Sequence, residues 1–158
     1  MSVDSGAYLR DTIKAVESYG ICTEDIWPYA PFKFDIRPSA EAYNDAKTRK
    51  LKHYQRVTNI DSVIDALAHK KPVVFGITIY GDFLNLDNYN STLKMPETND
   101  ISLGGHAMCF IAYDKVNKIF KAKNSFGRRW GDEGYCYIPF DYITDYGYDM
   151  WVFDLDMM

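Results

Sequence analysis

Residues 102–114 read SLGGHAMCFIAYD, two glycines and a histidine followed by an apolar run of strand length. Alternation along such a strand puts His106, Met108 and Phe110 on one side and Ala107, Cys109 and Ile111 on the other. Gly104 and Gly105 leave the imidazole uncovered and allow a backbone or ligand to come close. Alone, the stretch has two readings: a core histidine satisfied by a carbonyl, or a histidine set at the mouth of a site.

The second strand bears on that choice. FKAKNSFGRRWGDEGYCYIP, residues 120–139, places Asn124 at a strand end. It continues into a turn where aromatics and glycines alternate: Phe126, Gly127, Trp130, Gly131, Gly134 and Tyr135. A neutral amide accepts from one imidazole nitrogen, which fixes the tautomer and leaves the other nitrogen facing a reacting group. Phe126 or Trp130 then lies over that bond and keeps water off it.

Outward from these strands, the pattern predicts an amphipathic helix over 4–20. Asp4 or Ser5 caps it, Leu9, Ile13 and Val16 share a face, and Gly20 is a left-handed stop. Three prolines keep residues 20–40 extended. Short helices follow over 39–49, capped by Ser39, and over 61–68, burying Val63, Ile64 and Leu67. PVVFGITIY, residues 72–80, reads as a strand buried on both faces. The polar link over 85–102 is functional or holds a small hairpin. Strands follow over 106–113, 119–123, 134–138 and 150–155. Helices first and antiparallel strands afterwards give an α+β fold.

Composition narrows the function classes. The 158 residues are 47% apolar and 16% aromatic, with thirteen tyrosines, enough to bury a core. A net charge of −4 without a basic run argues against nucleic acid or an anionic membrane as partner. No apolar stretch reaches bilayer length, and the polar start MSVDSGAYLR shows no signal peptide, so no compartment is indicated. Cys22, Cys109 and Cys136 are too few and scattered for a disulfide scaffold or zinc site, and read as buried thiols. No metal or cofactor is expected. DNYNST in the link reads as turn chemistry rather than a calcium loop, while His53 and His69 read as solvated surface.

GGHA, a strand, then KNSFGxxWGxxGYxYIP resembles the histidine and asparagine motifs of papain-like cysteine peptidases. SGAYLRDTIKAVESYGICTEDIWPY (residues 5–29) resembles the helix and G-I-x-x-E-x-x-Y-P-Y segment of that family, with Trp27 in place of a tyrosine. VIDALAHKKPVVFGITIY (residues 63–80) resembles the stretch ahead of the histidine strand, so the likeness covers nearly the whole chain. It departs at Phe126, where the family usually has tryptophan; an apolar cover remains but the indole donor is lost. The resemblance implies an incomplete papain-like fold over 1–158, a single domain with N-terminal helices and an antiparallel, β-barrel-like lobe. It implies His106 as general acid/base and Asn124 as its orienting partner. Leu103, Gly104 and Gly105 become the wall that receives substrate side chains, and Phe126 and Trp130 the shield.

The nucleophile is the gap. In this family the histidine and asparagine follow the cysteine by about 130–150 residues, whereas 105 residues precede His106. The expected cysteine therefore falls ahead of Met1, with the helix that carries it and the oxyanion-hole glutamine. Cys109 lies on the face away from His106, Cys136 looks packed within a strand, and Cys22 is remote from the cleft by resemblance. Neither Ser102 nor Ser125 has a nucleophile-elbow setting. The chain alone is expected to be inert as a peptidase. The alternative is a non-catalytic relic that binds peptide or assembles with other proteins. Without the missing helix, apolar surface is exposed. That predicts, besides a peptide or protein substrate, a homodimer or a second chain supplying the nucleophile-bearing part.

Overall fold

The computed structural model describes residues 6–157, with side chains as far as Asp154. In chain order the elements are α1 (Leu9–Tyr19), a 3-10 turn (Pro31–Lys33), α2 (Ala40–Ala46), β1 (Arg49–Val57), α3 (Ile60–Ala68) and β2 (Val73–Tyr80). They continue with α4 (Gly81–Leu84), β3 (Ser102–Asp114), β4 (Ile119–Lys123), β5 (Tyr135–Pro139), α5 (Phe140–Tyr146) and β6 (Gly147–Met157). The fold is α+β. The six strands are ordered β1-β6-β2-β3-β4-β5, so β1 and β5 are the two ends and the sheet is open rather than closed into a barrel. Pairings of β2 with β3 and β6, and of β4 with β3 and β5, are antiparallel. Among the described residues no helix is long and apolar enough to cross a membrane.

The chain divides into two compact units: residues up to Tyr54 together with Phe153 onward, and Gln55–Val152. In the first, α1 buries Ile13 between half-buried Leu9 and Val16, the face set by its apolar spacing. The proposed caps Asp4 and Ser5 lie outside the described residues; the helix starts at Tyr8 with no side-chain cap. Gly20 ends it at φ 84°, ψ −168°, a region open essentially to glycine alone rather than the left-handed helical one. Ser39 caps α2 by accepting from the Ala42 N–H. That helix stops at Ala46, and 49–57 is a strand. RKLKHYQRV buries only Leu51 and Val57, so its charged positions hide the strand period. Asp45 accepts from the Thr23 N–H at 2.9 Å and from Arg49 at 2.8 Å, which holds its carboxyl below the usual range.

In the second unit the core lies between the sheet and α3, α4 and α5. Val73, Phe75, Ile77 and Ile79 of β2 are buried, and Met108 and Phe110 of β3 join them opposite in register. Phe75 stacks on Phe110 with ring centres 3.6 Å apart; Phe120 lies 4.5 Å beyond Phe110, and Phe140 4.4 Å beyond Phe120. The other face of β2 is only half covered at Val74, Thr78 and Tyr80, so burial on both faces holds in part. Two short helices escape the sequence pattern, α4 and α5. Tyr142 of α5 is buried and donates to the Thr78 carbonyl at 3.0 Å, and burial pushes its phenol well above the usual value. The 85–102 link holds no hairpin. Leu86 and Leu93 bury into the core, Thr92 bridges to Tyr137, and Asp87 closes an Asx turn on Tyr89 and Asn90. His53 and His69 are exposed.

A Cβ at Gly20 would overlap the Ala46 carbonyl in addition to its glycine-only backbone. Gly20→Ala is therefore expected to lose about 2 kcal/mol or more of stability, measured by urea unfolding against wild type.

Candidate active site

β3 sits between β2 and β4, and its register decides which side chains meet. His106 is opposite Ile77 and Cys109 is opposite Val74, so the histidine shares the core face with Met108 and Phe110. On the other side Phe110 pairs with Ala122 but Ala112 with Lys121, which makes Ile111 the extra residue of a bulge. Asn124 follows directly on β4, anchored by its own N–H to the Gly134 carbonyl at 2.9 Å. Glycines at positive φ (127, 131 and 134) fold the intervening turn back on itself.

The two side chains meet. Asn124 Oδ1 lies 2.8 Å from His106 Nε2 and also accepts from the Ser125 N–H at 2.7 Å. A second donor on the same atom identifies it as the amide oxygen. An oxygen only accepts, so Nε2 carries a hydrogen, and in the neutral ring Nδ1 is then the nitrogen with the lone pair. Asn124 is 7% exposed, and its Nδ2 has no hydrogen-bond partner among the described residues. The oxygen alone therefore orients the amide.

Aromatic rings enclose the pair. Phe126 is tilted against the imidazole at 4.9 Å between centres and is 47% exposed. It therefore stands between the ring and solvent as a partial cover. Trp130 is buried and contacts Phe126 and Phe83, not the imidazole directly among the described ring pairs. Its Nε1–H donates to the Phe83 carbonyl at 2.9 Å, tying α4 to the asparagine turn. Phe83 was not singled out from sequence. It is fully buried and meets His106 edge-on at 5.3 Å, so the imidazole lies between Phe83 inside and Phe126 outside. A four-residue helix is too short to show a period, and the only signal for Phe83 is its position just beyond the buried β2.

The residues ahead of His106 behave differently from one another. Leu103 is 49% exposed. Gly104 has φ 107° and nothing within 4 Å of where a Cβ would stand, so its flank is open. Gly105 is exposed. A Cβ there would overlap the Tyr148 hydroxyl, so the missing side chain makes room for that ring.

Strand parity and burial separate Cys109 and Cys136 from this pair. Cys109 points to the face away from His106, its Sγ at 3.7 Å from the Phe110 carbonyl. Burial pushes its thiol up against the opposing pull of Lys123. Cys136 is fully buried on β5, opposite Ala122, and burial pushes it up to about 12. Cys22, half-buried, belongs to the first unit. Among the described residues no cluster of histidine, cysteine or carboxylate side chains is arranged to hold a metal.

A histidine oriented by an asparagine oxygen under an aromatic cover is the arrangement that the sequence motifs implied. The family model described as papain family cysteine protease matches residues 4–150. The chain belongs to the papain family of cysteine proteases. An uncharacterized peptidase C1-like protein of Acanthamoeba polyphaga mimivirus is 37% identical over 161 aligned residues, covering 94% of this chain and 52% of that protein. Xylellain, a cysteine protease from Xylella fastidiosa, superposes with a TM-score of 0.84 at 34% identity, over 96% of this chain and 62% of its own. Bromelain from Ananas comosus, solved with the E64 inhibitor, shares the fold at 21% identity and a TM-score of 0.69, over 94% of this chain and 69% of its own. The chain thus spans about half the length of the curated papain-family relative and 62% of xylellain.

Two measurements check this geometry. Nitrogen-resolved NMR of the neutral His106 ring is expected to show a single Nε2–H tautomer, and Asn124→Ala to give a mixture. Cys136 is expected to resist iodoacetamide at pH 8 in the native chain and to react once unfolded, because burial shields the sulfur from the reagent and disfavours its thiolate. Mass spectrometry of the alkylated peptides reads the outcome.

Proposed function

We propose that this chain supplies the histidine–asparagine half of a papain-family peptidase site, and that the attacking cysteine is none of its own three. The hydrogen bond between His106 Nε2 and Asn124 Oδ1 carries the reading, since it leaves Nδ1 as the free base. Cys109 faces away and Cys136 is buried, which supports a thiol from outside these 158 residues.

In the proposed reaction Nδ1 takes the proton of that thiol, and the sulfur electron pair attacks the peptide carbonyl carbon. The resulting imidazolium remains bonded to Asn124, which holds its plane. It gives the proton to the leaving amine as the C–N bond breaks, leaving an acyl-thioester. Water then attacks the acyl carbon, His106 takes its proton and returns it to sulfur, and the carboxylic acid leaves. Leu103, Gly104 and Gly105 line the substrate wall, while Phe126 and, behind it, Trp130 limit water at the histidine–asparagine bond.

A second reading is a non-catalytic relic that binds peptide or assembles with other proteins, as a homodimer or with a different chain. The exposure of Leu84, Ile101, Leu103 and Phe126 in the unit that holds His106 favours it. The two readings part at one experiment. The chain is combined with the thiol-bearing portion of a papain-family relative, and hydrolysis of a fluorogenic peptide is followed with and without a thiol-trapping inhibitor. The peptidase reading expects inhibitor-sensitive turnover that drops about 10²–10⁴-fold in His106→Ala. Peptide binding or assembly indifferent to that substitution, with no turnover, supports the relic instead.

A further inference from the structure

The turn that follows Asn124 is bent against its own preferences. Glu133 and Gly134 both have positive φ, 51° and 94°, the requirement of the tightest hairpin turn. Glycine accepts that backbone; glutamate does so only where its neighbours hold it. Around the pair, the Asp132 N–H donates to the Tyr135 carbonyl at 2.8 Å and the Tyr135 N–H to the Asp132 carbonyl at 3.0 Å. Gly134 also supplies the carbonyl that accepts from the Asn124 N–H. The strained pair is thus the anchor of the asparagine backbone.

Two sets of contacts hold the turn. From the link, the Phe83 and Leu86 carbonyls accept from Trp130 Nε1 and the Gly131 N–H, and Asn88 Oδ1 accepts from the Glu133 N–H at 3.3 Å. From the sheet, the holder is Asp132. Lys121 and Tyr137 are register partners on β4 and β5, on the face away from buried Phe120, Ala122, Cys136 and Ile138. Asp132 Oδ2 accepts from the Tyr137 hydroxyl at 2.9 Å and from Lys121 Nζ at 3.3 Å. The ammonium lies over the Tyr135 and Tyr137 rings, 4.8 and 5.2 Å from their centres. Among the described residues Asp132 is the one side chain of the turn bonded to that face. The Tyr137 hydroxyl and, after it, Lys121 hold the Asp132 carboxyl below its usual range.

We propose that Asp132 is a positioning residue for the base, clamping the Glu133–Gly134 pair to the sheet so that Asn124 keeps its oxygen on His106. The proposal rests on the reading of His106 as that base. Asn124 Nδ2 has no partner among the described residues, so no second bond corrects the amide when its backbone shifts. Release of Asp132 frees Gly134 to carry the Asn124 N–H with it, and the 2.8 Å bond to Nε2 lengthens. Once that bond weakens, the neutral imidazole divides between its two tautomers, and the Nδ1–H form has no lone pair there to take a proton. Asp132 acts on the imidazole only through Gly134 and Asn124.

The test reads the His106 tautomer by nitrogen-resolved NMR in the chain itself, at a pH where the ring is neutral. Asp132→Ala is expected to turn the single Nε2–H signal into a mixture, and Asp132→Asn, which keeps an oxygen for Tyr137, to restore it. Tyr137→Phe, which removes only the hydroxyl, is expected to give a smaller Nδ1–H share and stands in if Asp132→Ala does not fold. Gly20→Ala, destabilised in the other unit, should leave the tautomer alone. In the assembled enzyme Asp132→Ala is expected to lower kcat about ten- to a hundredfold with KM unchanged, the scale of a misplaced catalytic group. A single tautomer in folded Asp132→Ala or in Tyr137→Phe overturns the proposal, as does an unchanged kcat. So does a mixture that Asp132→Asn fails to restore or that Gly20→Ala reproduces. Absence of hydrolysis counts against the peptidase reading alone, because the tautomer is read without the thiol.

Discussion

The antiparallel register of β3 governs this structure, because side chains on a strand alternate between its faces wherever the ladder is regular. With His106 opposite Ile77, the imidazole joins the core side and meets Phe83, while Cys109 is carried to the other side. A slip of one residue would exchange them, turning the histidine outward and a thiol inward. Buried Met108 and Phe110 make that slip costly, since both would leave the core with the histidine and strip Phe75 and Ile77 of β2 of their cross-strand cover. The position of the base is thus held by hydrophobic burial further along the same strand rather than by anything at the site itself.

On that frame the polar groups do a smaller, sharper task. Asn124 has one oxygen serving two donors, and the backbone donor at Ser125 comes from its own chain neighbour. That local bond holds the amide oxygen independently of the imidazole, so less orientational freedom is lost in forming the pair. Trp130, reaching across to the Phe83 carbonyl, connects the turn after β4 with the helix after β2. Phe126 has no such donor, and its exposure marks the side on which the cover is thinnest.

Much of this was legible in the sequence. The alternation around His106, the run from Ile119 to Lys123, the Ser39 cap and the apolar face of α3 all follow from local rules; β4 and α3 stand close to their expected bounds, while β3 begins at Ser102 rather than His106 and α2 ends at Ala46 rather than Arg49. What stayed hidden has common physical causes. β1 is an end strand with charged residues at most positions, so its period is masked. The helices α4 and α5 are four and seven residues long, too short for a hydrophobic stripe. In the site, His106, Asn124 and Phe126 announce themselves by motif. Phe83 does not, since its importance comes from tertiary placement.

The bulge at Ile111 has a consequence of its own. An odd residue in a ladder resets the in–out parity of everything after it. The distal half of β3, with its hairpin to β4, is thereby uncoupled from the proximal half that orients the base. Lengthening or shortening that hairpin tip leaves the imidazole pointing the same way.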